Sequence, residues 1–196
     1  MLTFIGTGAL IGIIVGVVIL LLIIWLVSWF IKTFNKLVKS RNKVRNSFSQ
    51  IDVQLKRRFD LIPNLVETVK GYASHEKSIL EEFARARGAY QNANGDIDKM
   101  SEANNALTSV LTRFMAVSEQ YPELKADAQF NAMINTLKET EDKIAITRQF
   151  YNDTVTSYNT LLQLFPNVIF ANMFGFHDEK LFKASEEERK NVKVQF

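Results

Sequence analysis

Cysteine is absent from the 196 residues, which excludes disulfides and thiolate metal sites, and two histidines leave little for zinc or acid-base catalysis. Proline occurs three times, so few points force a helix to stop. Strand-like alternation of any length is also missing. With one chain of this length the expectation is a single all-α domain with a sizeable core.

The most informative absence is of charge. From Leu2 to Ile31 there is no Asp, Glu, Lys or Arg, and twenty of those thirty residues are Leu, Ile, Val or Phe. A membrane-spanning helix needs about 20 apolar residues. A cleaved signal peptide would carry a positive start and an apolar run of roughly 7 to 15 residues. This start has no charged side chain and the run is far longer, so residues 1–31 read as an uncleaved transmembrane anchor.

The segment next to the anchor is basic. Trp25 and Trp29 stand at the far end of the anchor, where amphipathic rings favour the headgroup level. Then come Lys32, Lys36, Lys39, Arg41, Lys43 and Arg45, with no acid before Asp52. This collar suits anionic lipid headgroups at about 1 kcal/mol per cation, and it predicts an N-terminus outside and the remaining chain in the cytoplasm. Residues 32–58 hold nine cations and one anion, leaving 15 and 20 of the chain's 24 and 21 elsewhere. The basic pI is thus a membrane-edge property, and nucleic-acid binding is not expected. Within the anchor, Gly8, Gly12 and Gly16 recur at four-residue spacing on one helix face, a motif that admits a second backbone and predicts self-association. Glycine is common in membrane helices in any case, so the spacing also has a trivial explanation.

Residues 32–165 read as a cytoplasmic helical bundle. Val44, Phe48, Ile51, Leu55, Phe59, Ile62, Val66, Val69 and Ala73, then Leu80, Phe83 and Tyr90, follow a heptad-like seam. The seam keeps its phase through Pro63, which favours a kinked helix, although a helix end at Leu61 would also place the proline acceptably. QNANGDID at 91–98 predicts a reversing loop, with the next helix starting near Ser101. Its seam is Ala103, Leu107, Val110, Phe114, Val117, Tyr121 and Leu124, and Pro122 marks a short loop or a second kink. A long helix is expected from Ala126 to about Leu164, with Met133, Leu137, Ile144, Tyr151, Tyr158 and Leu161 on one face. The two matched halves predict antiparallel packing, as a long hairpin or refolded into about four helices. Residues 166–196 form a Phe-rich tail that is expected to pack on the bundle.

Motifs for chemistry are weak. HEKSI at 75–79 has Ile79 where a zinc helix needs its second histidine, and His177 has no nucleophile beside it. NANGDIDKMSE lacks the ligand spacing of a calcium loop, and there is no glycine-rich phosphate loop, so no metal or cofactor is expected. Glu141 and Arg148, seven residues apart on one face, and Arg57, Arg58 and Asp60 on the other half, read as charges that set register at a seam.

The stretch FNKLVKSRNKVRNSFSQIDVQLKRRFDLIPNLVETVKGYASHE, residues 34–76, resembles the signature of the LemA family of bacterial membrane proteins. EDKIAITRQFYNDTVTSYNTLLQLFP at 141–166, FGF and the terminal VQF are similar to its second half. Phe34 and Phe48 stand where that family more often shows Tyr and Trp. The signature positions include Arg57, Arg58, Asp60, Pro63, Asn64, Glu141, Arg148, Tyr151, Asn152 and Tyr158. The resemblance implies one N-terminal span, an antiparallel bundle of about four helices in the cytoplasm, and no established enzymatic activity. Kinship with a protein associated with forming magnetosome membranes implies a role in organising membrane. The expectation is therefore a non-enzymatic, homo-oligomeric scaffold of the bacterial inner membrane. The alternative is an anchored adaptor that recruits a protease or envelope-stress partner through its bundle or tail.

Overall fold

The computed structural model describes residues 6–72 and 76–183. Expectations placed on residues 2–5, on Ala73 and His75, and on the tail from residue 184 to Phe196 lie outside the described residues. Among those described there are six α-helices and no strand: α1 Thr7–Lys70, α2 Lys77–Gln91, α3 Ile97–Ser118, α4 Pro122–Ala126, α5 Ala128–Gln163 and α6 Asn167–Phe174. The chain is all-α, as its composition predicts. It divides into two compact units, one formed up to Asn42 together with Tyr158–Asp178, the other by Lys43–Ser157 and the chain from Glu179.

The second unit is a bundle of four long helices, α1, α2, α3 and α5, with the short α4 between α3 and α5. Phe48 meets Tyr151 with ring centroids 6.2 Å apart, Arg58 pairs with Glu141, and the Tyr72 hydroxyl donates to Asp127 at 3.1 Å, so α5 descends as α1 ascends. Helices α2 and α3 are likewise antiparallel, because Tyr121 reaches Glu76 and Phe83 packs edge-on to Phe114 at 5.7 Å. The core is a single apolar column that includes Ile51, Leu55, Phe59, Ile62, Leu65, Phe83, Leu107, Phe114, Phe130 and Ile144, all buried. Burial of large apolar side chains contributes roughly 1.5 to 3 kcal/mol each and dominates the stability of such a bundle.

The helix boundaries show where local chemistry competes with periodicity. Pro63 lies inside α1, which continues to Lys70 and does not end at Leu61. The interruption falls instead at Gly71, beyond a last turn carrying Lys70. A basic last turn followed by glycine is a helix stop, and a seam carried unbroken from Val44 to Tyr90 overlooks it. Beyond the stop Ile79 is buried in place of the expected Leu80; within α1 Leu65 is buried beside the expected Val66, which is partly covered, while Ile62 and Val69 on either side are buried as expected. Pro122 resolves the other way, opening α4 after a break at the end of α3.

Helix α3 starts at Ile97, four residues before the expected Ser101. Its cap is Asp96, whose carboxylate accepts from the amides of Asp98 and Lys99 at 3.0 and 3.2 Å. The preceding reversal uses Asn94 and Gly95 at φ 48° and 80°, a left-handed conformation that glycine and asparagine adopt most readily. Ser101 is buried and donates to the Lys183 carbonyl at 2.7 Å, so it serves the tail and not the helix start.

The first unit combines α1 up to Asn42, the last turns of α5 and the whole of α6. Leu10 to Leu26 in α1 expose their apolar side chains, whereas Thr33 and Leu37 are buried. Helix α6 ends at Gly175, left-handed at φ 67°, where the Phe176 amide bonds back to the Ala171 carbonyl at 3.0 Å.

Replacing the cap tests the start of α3. Asp96→Ala is expected to lower unfolding stability by about 1 kcal/mol and Asp96→Asn by far less, read from urea midpoints by circular dichroism of the whole chain in detergent.

Candidate functional site

Two sets of residues carry candidate function, one in each unit. In the first, Gly8, Gly12 and Gly16 all lie on the uncharged part of α1 and are exposed. A Cβ built at any of the three meets no atom within 4 Å. Packing among the described residues therefore supplies no reason for glycine there. Trp25 is 65% exposed, while Trp29 is partly covered by Phe170 of α6, ring edge to face at 5.6 Å. Lys32, Lys36 and Lys39 project from α1 into the open, and the Arg41 guanidinium lies 4.9 Å over the Phe176 ring. A cation over an aromatic face is attracted by the ring quadrupole. Lys43 and Arg45 are exposed as well and belong to the other unit.

In the bundle, one buried guanidinium organises the polar residues. Arg58 is 2% exposed, pairs with the Glu141 carboxylate, and donates to Asn104 Oδ1 at 2.6 Å and to Thr108 Oγ1 at 3.1 Å. Three helices thus converge on it: α1 supplies the cation, α5 the anion and α3 two neutral acceptors. Burial pushes the Arg58 pKa down from its ordinary value, and the charge and hydrogen bond of Glu141 oppose that shift. Beside the pair an apolar cleft of about 190 Å³ is lined by Leu111, Met115, Ile134 and Leu137 among others. No group of three metal-binding side chains occurs among the described residues. The chemistry available to the pair is electrostatic matching that fixes how the helices register.

The other signature positions separate into distinct places. Arg57, Asp60, Pro63 and Asn64 are exposed on α1 and do not join Arg58. Arg148 is half-buried on α5, and Tyr158 is buried in the first unit. Tyr151 and Asn152 hold the tail. The Tyr151 hydroxyl donates to the Lys180 carbonyl at 2.8 Å, and the Asn152 amide both donates to the Phe182 carbonyl at 3.1 Å and accepts from the Phe182 amide at 2.9 Å. Asp98 adds ion pairs to Lys180 and Lys183 at 2.6 and 2.9 Å, and their hydrogen bonds hold its carboxyl below the usual carboxylate range. Phe182 is buried as a result.

Sequence reasoning missed Asn104 and Thr108, which stand four residues apart on α3 and carry no motif. The available signal was indirect: a buried arginine presents five donors and needs more acceptors than one carboxylate provides. Of the six tail phenylalanines, Phe170, Phe176 and Phe182 are buried, Phe165 and Phe174 are 81% and 42% exposed, and Phe196 lies outside the described residues.

Comparison with known proteins places this geometry among relatives. The model of the LemA family matches residues 47–196. A protein of Metamycoplasma hominis named Protein LemA is 29% identical over 154 residues, covering 78% of this chain and 69% of that protein. Magnetosome protein MamQ 2 of Paramagnetospirillum magneticum is 28% identical over 160 residues, covering 69% and 59% respectively. Magnetosome protein MamQ of Magnetospirillum gryphiswaldense is 26% identical over 159 residues, covering 68% and 58%. The chain therefore spans little more than half the length of the two magnetosome proteins.

The bundle's polar groups lead to two expected outcomes. Glu141→Leu should destabilise by about 3 kcal/mol, since Arg58 stays buried without its counter-charge, whereas the double change with Arg58→Met should recover most of the loss. Urea unfolding of the four members of this cycle measures the coupling. Burial, with the charge of Glu179 adding to it, pushes the Tyr151 hydroxyl up to about 12. The unfolded chain ionises this group near its ordinary value, about 10, while the folded chain keeps the proton. Its contribution is thus fully present below about pH 10 and is lost as pH rises towards 12. Thermal unfolding followed between these values should show less alkaline sensitivity in Tyr151→Phe.

Proposed function

The chain belongs to the LemA family, and from that premise we propose that it is a non-enzymatic membrane scaffold whose copies associate through the glycine face of α1. The family and the one helix among the described residues that is long and apolar enough to cross a membrane make it a membrane-associated helical protein. The observation that carries the finer reading is the glycine triplet. In a stretch otherwise rich in bulky apolar side chains, three glycines on one face leave a shallow track, open on the outside, where an added Cβ meets no atom of another part of the described chain within 4 Å. In lipid, helices gain little by hiding apolar surface from each other, so close backbone approach and van der Waals packing drive association.

The collar supports the orientation. Lys32, Lys36 and Lys39 follow the apolar stretch directly, and such an excess of cations is retained on the cytoplasmic side of a bacterial inner membrane, with the N-terminus outside. The same cations favour an anionic leaflet. Relatives named magnetosome proteins support placing this chain among proteins that organise or shape bacterial membrane.

Sizing the intact chain in detergent tests the proposal. The natural protein should run as a dimer or larger, and the triple change Gly8→Leu, Gly12→Leu, Gly16→Leu should weaken association at least about tenfold, or 1.4 kcal/mol. A monomer in both samples, or an unchanged oligomer in the variant, would overturn it.

A further inference from the structure

A second uncharged stretch lies near the end of the chain. From Tyr158 to His177 there is no Asp, Glu, Lys or Arg, in a protein where 23% of residues are of these types. Those residues form the last turns of α5, the turn at Leu164 to Pro166, and α6. Helix α6 is apolar nearly all round, with Asn167 and Asn172 its polar members. One face of it is occupied: Phe170 contacts Trp29 and Phe30 at 5.6 and 5.0 Å, and Phe174 contacts Phe30 and Phe34 at 5.9 and 5.0 Å. The rest is bare. Leu164, Phe165, Ile169 and Met173 are 53%, 81%, 50% and 64% exposed.

The ring contacts fix the direction of α6 along α1. Phe170 lies at the level of Trp29 and Phe30, Phe174 at Phe30 and Phe34, and Phe176 at Phe34 and Arg41. Moving from Phe176 back towards Phe165 therefore means moving along α1 from the cationic collar towards the uncharged span. The bare turn sits at the deep end of this ladder, and the cation over Phe176 marks its wet end. An apolar turn that leans towards the span, within twenty residues free of Asp, Glu, Lys and Arg, and with the cationic collar of α1 at the opposite end of the ladder, has the chemistry of an element lying in the membrane interface.

We infer that the α5–α6 turn and the outer face of α6 are a second membrane-contacting element, which inserts Leu164, Phe165, Ile169 and Met173 into the boundary between headgroups and acyl chains beside the span. The occupant of this face is lipid. The inference rests on α1 being anchored in a bilayer and is independent of self-association. A second contact gives the anchor an orientation: a lone helix is free to rotate about its axis, whereas one carrying a side wedge presents a defined face to its neighbours in the plane.

The absence of cysteine makes the test direct. Full-length chains carrying Phe165→Cys, Met173→Cys, Leu26→Cys or Val53→Cys, each with a nitroxide on the thiol, are reconstituted in vesicles of phosphatidylcholine and phosphatidylglycerol. Collisions with oxygen and with a water-soluble nickel chelate are then compared. For a face buried about 5–10 Å below the headgroups, the oxygen-to-nickel ratio at 165 and 173 should exceed that at 53 by about fivefold or more and lean towards the value at 26. A ratio at 165 and 173 equal to that at 53, with 26 in lipid, overturns this inference alone. Protection from both reagents at 165 and 173 means a protein covers the face, which also overturns it. An aqueous value at 26 removes the anchor and the inference together, whereas a failed detergent-sizing test leaves these ratios as expected. The conservative pair Phe165→Leu and Met173→Leu, labelled at Ile169→Cys, should keep the lipid value, and a loss there counts against insertion.

Discussion

A guanidinium removed from water needs a counter-charge and acceptors, and Arg58 imposes that condition on the bundle through both of its terminal nitrogens, while its Nε meets no acceptor among the described residues. Its counter-charge comes from α5 and its neutral acceptors from α3, so the three helices meet at one height or leave a cation stranded in an apolar core. The penalty for a stranded ion is several kcal/mol, comparable with much of a domain's net stability. Apolar side chains supply the drive to pack, yet they tolerate sliding by a turn. The ion pair does not. The contacts of Phe48 with Tyr151 and of Tyr72 with Asp127 lie on the same antiparallel register that Arg58 and Glu141 set.

The seams that organise the bundle are largely legible in the sequence because heptad spacing survives any detail of the loops. Val44, Ile51, Leu55, Phe59 and Ile62 are buried as their spacing requires. The errors arise where a short-range rule outranks periodicity. Gly71 after Lys70 ends α1, and following the apolar phase through it displaces the buried position from Ile79 to Leu80. Asp96 captures two free amides and starts α3 one turn ahead of Ser101. At the candidate sites the sequence points to residue types but not to partners. Arg57, Arg58 and Asp60 look equivalent as a charged cluster, and only their angular positions on α1 decide that Arg58 alone turns inward. Asn104 and Thr108 have no visible role until a buried donor requires them.

The first unit follows a different economy of contacts. There the aromatic rings of α6 and α1 interleave edge to face, a geometry favoured by opposed quadrupoles over face-to-face stacking. Phenylalanine is suited to this place because it has no polar atom that must find a partner. The concentration of this residue in the tail, which by composition alone suits a docking element for another protein, is in part spent on the chain's own α1: Phe170 and Phe176 are buried against it.

Asn152 grips residue 182 through both of its main-chain groups, while Phe182 fills the core only with its ring. Such a clamp reads the backbone, which every residue except proline presents alike. The strap at 180–183 is therefore held by its backbone, by one large apolar side chain and by the ion pairs of Lys180 and Lys183 with Asp98, and Leu181, exposed between these fastenings, is the position left free to vary.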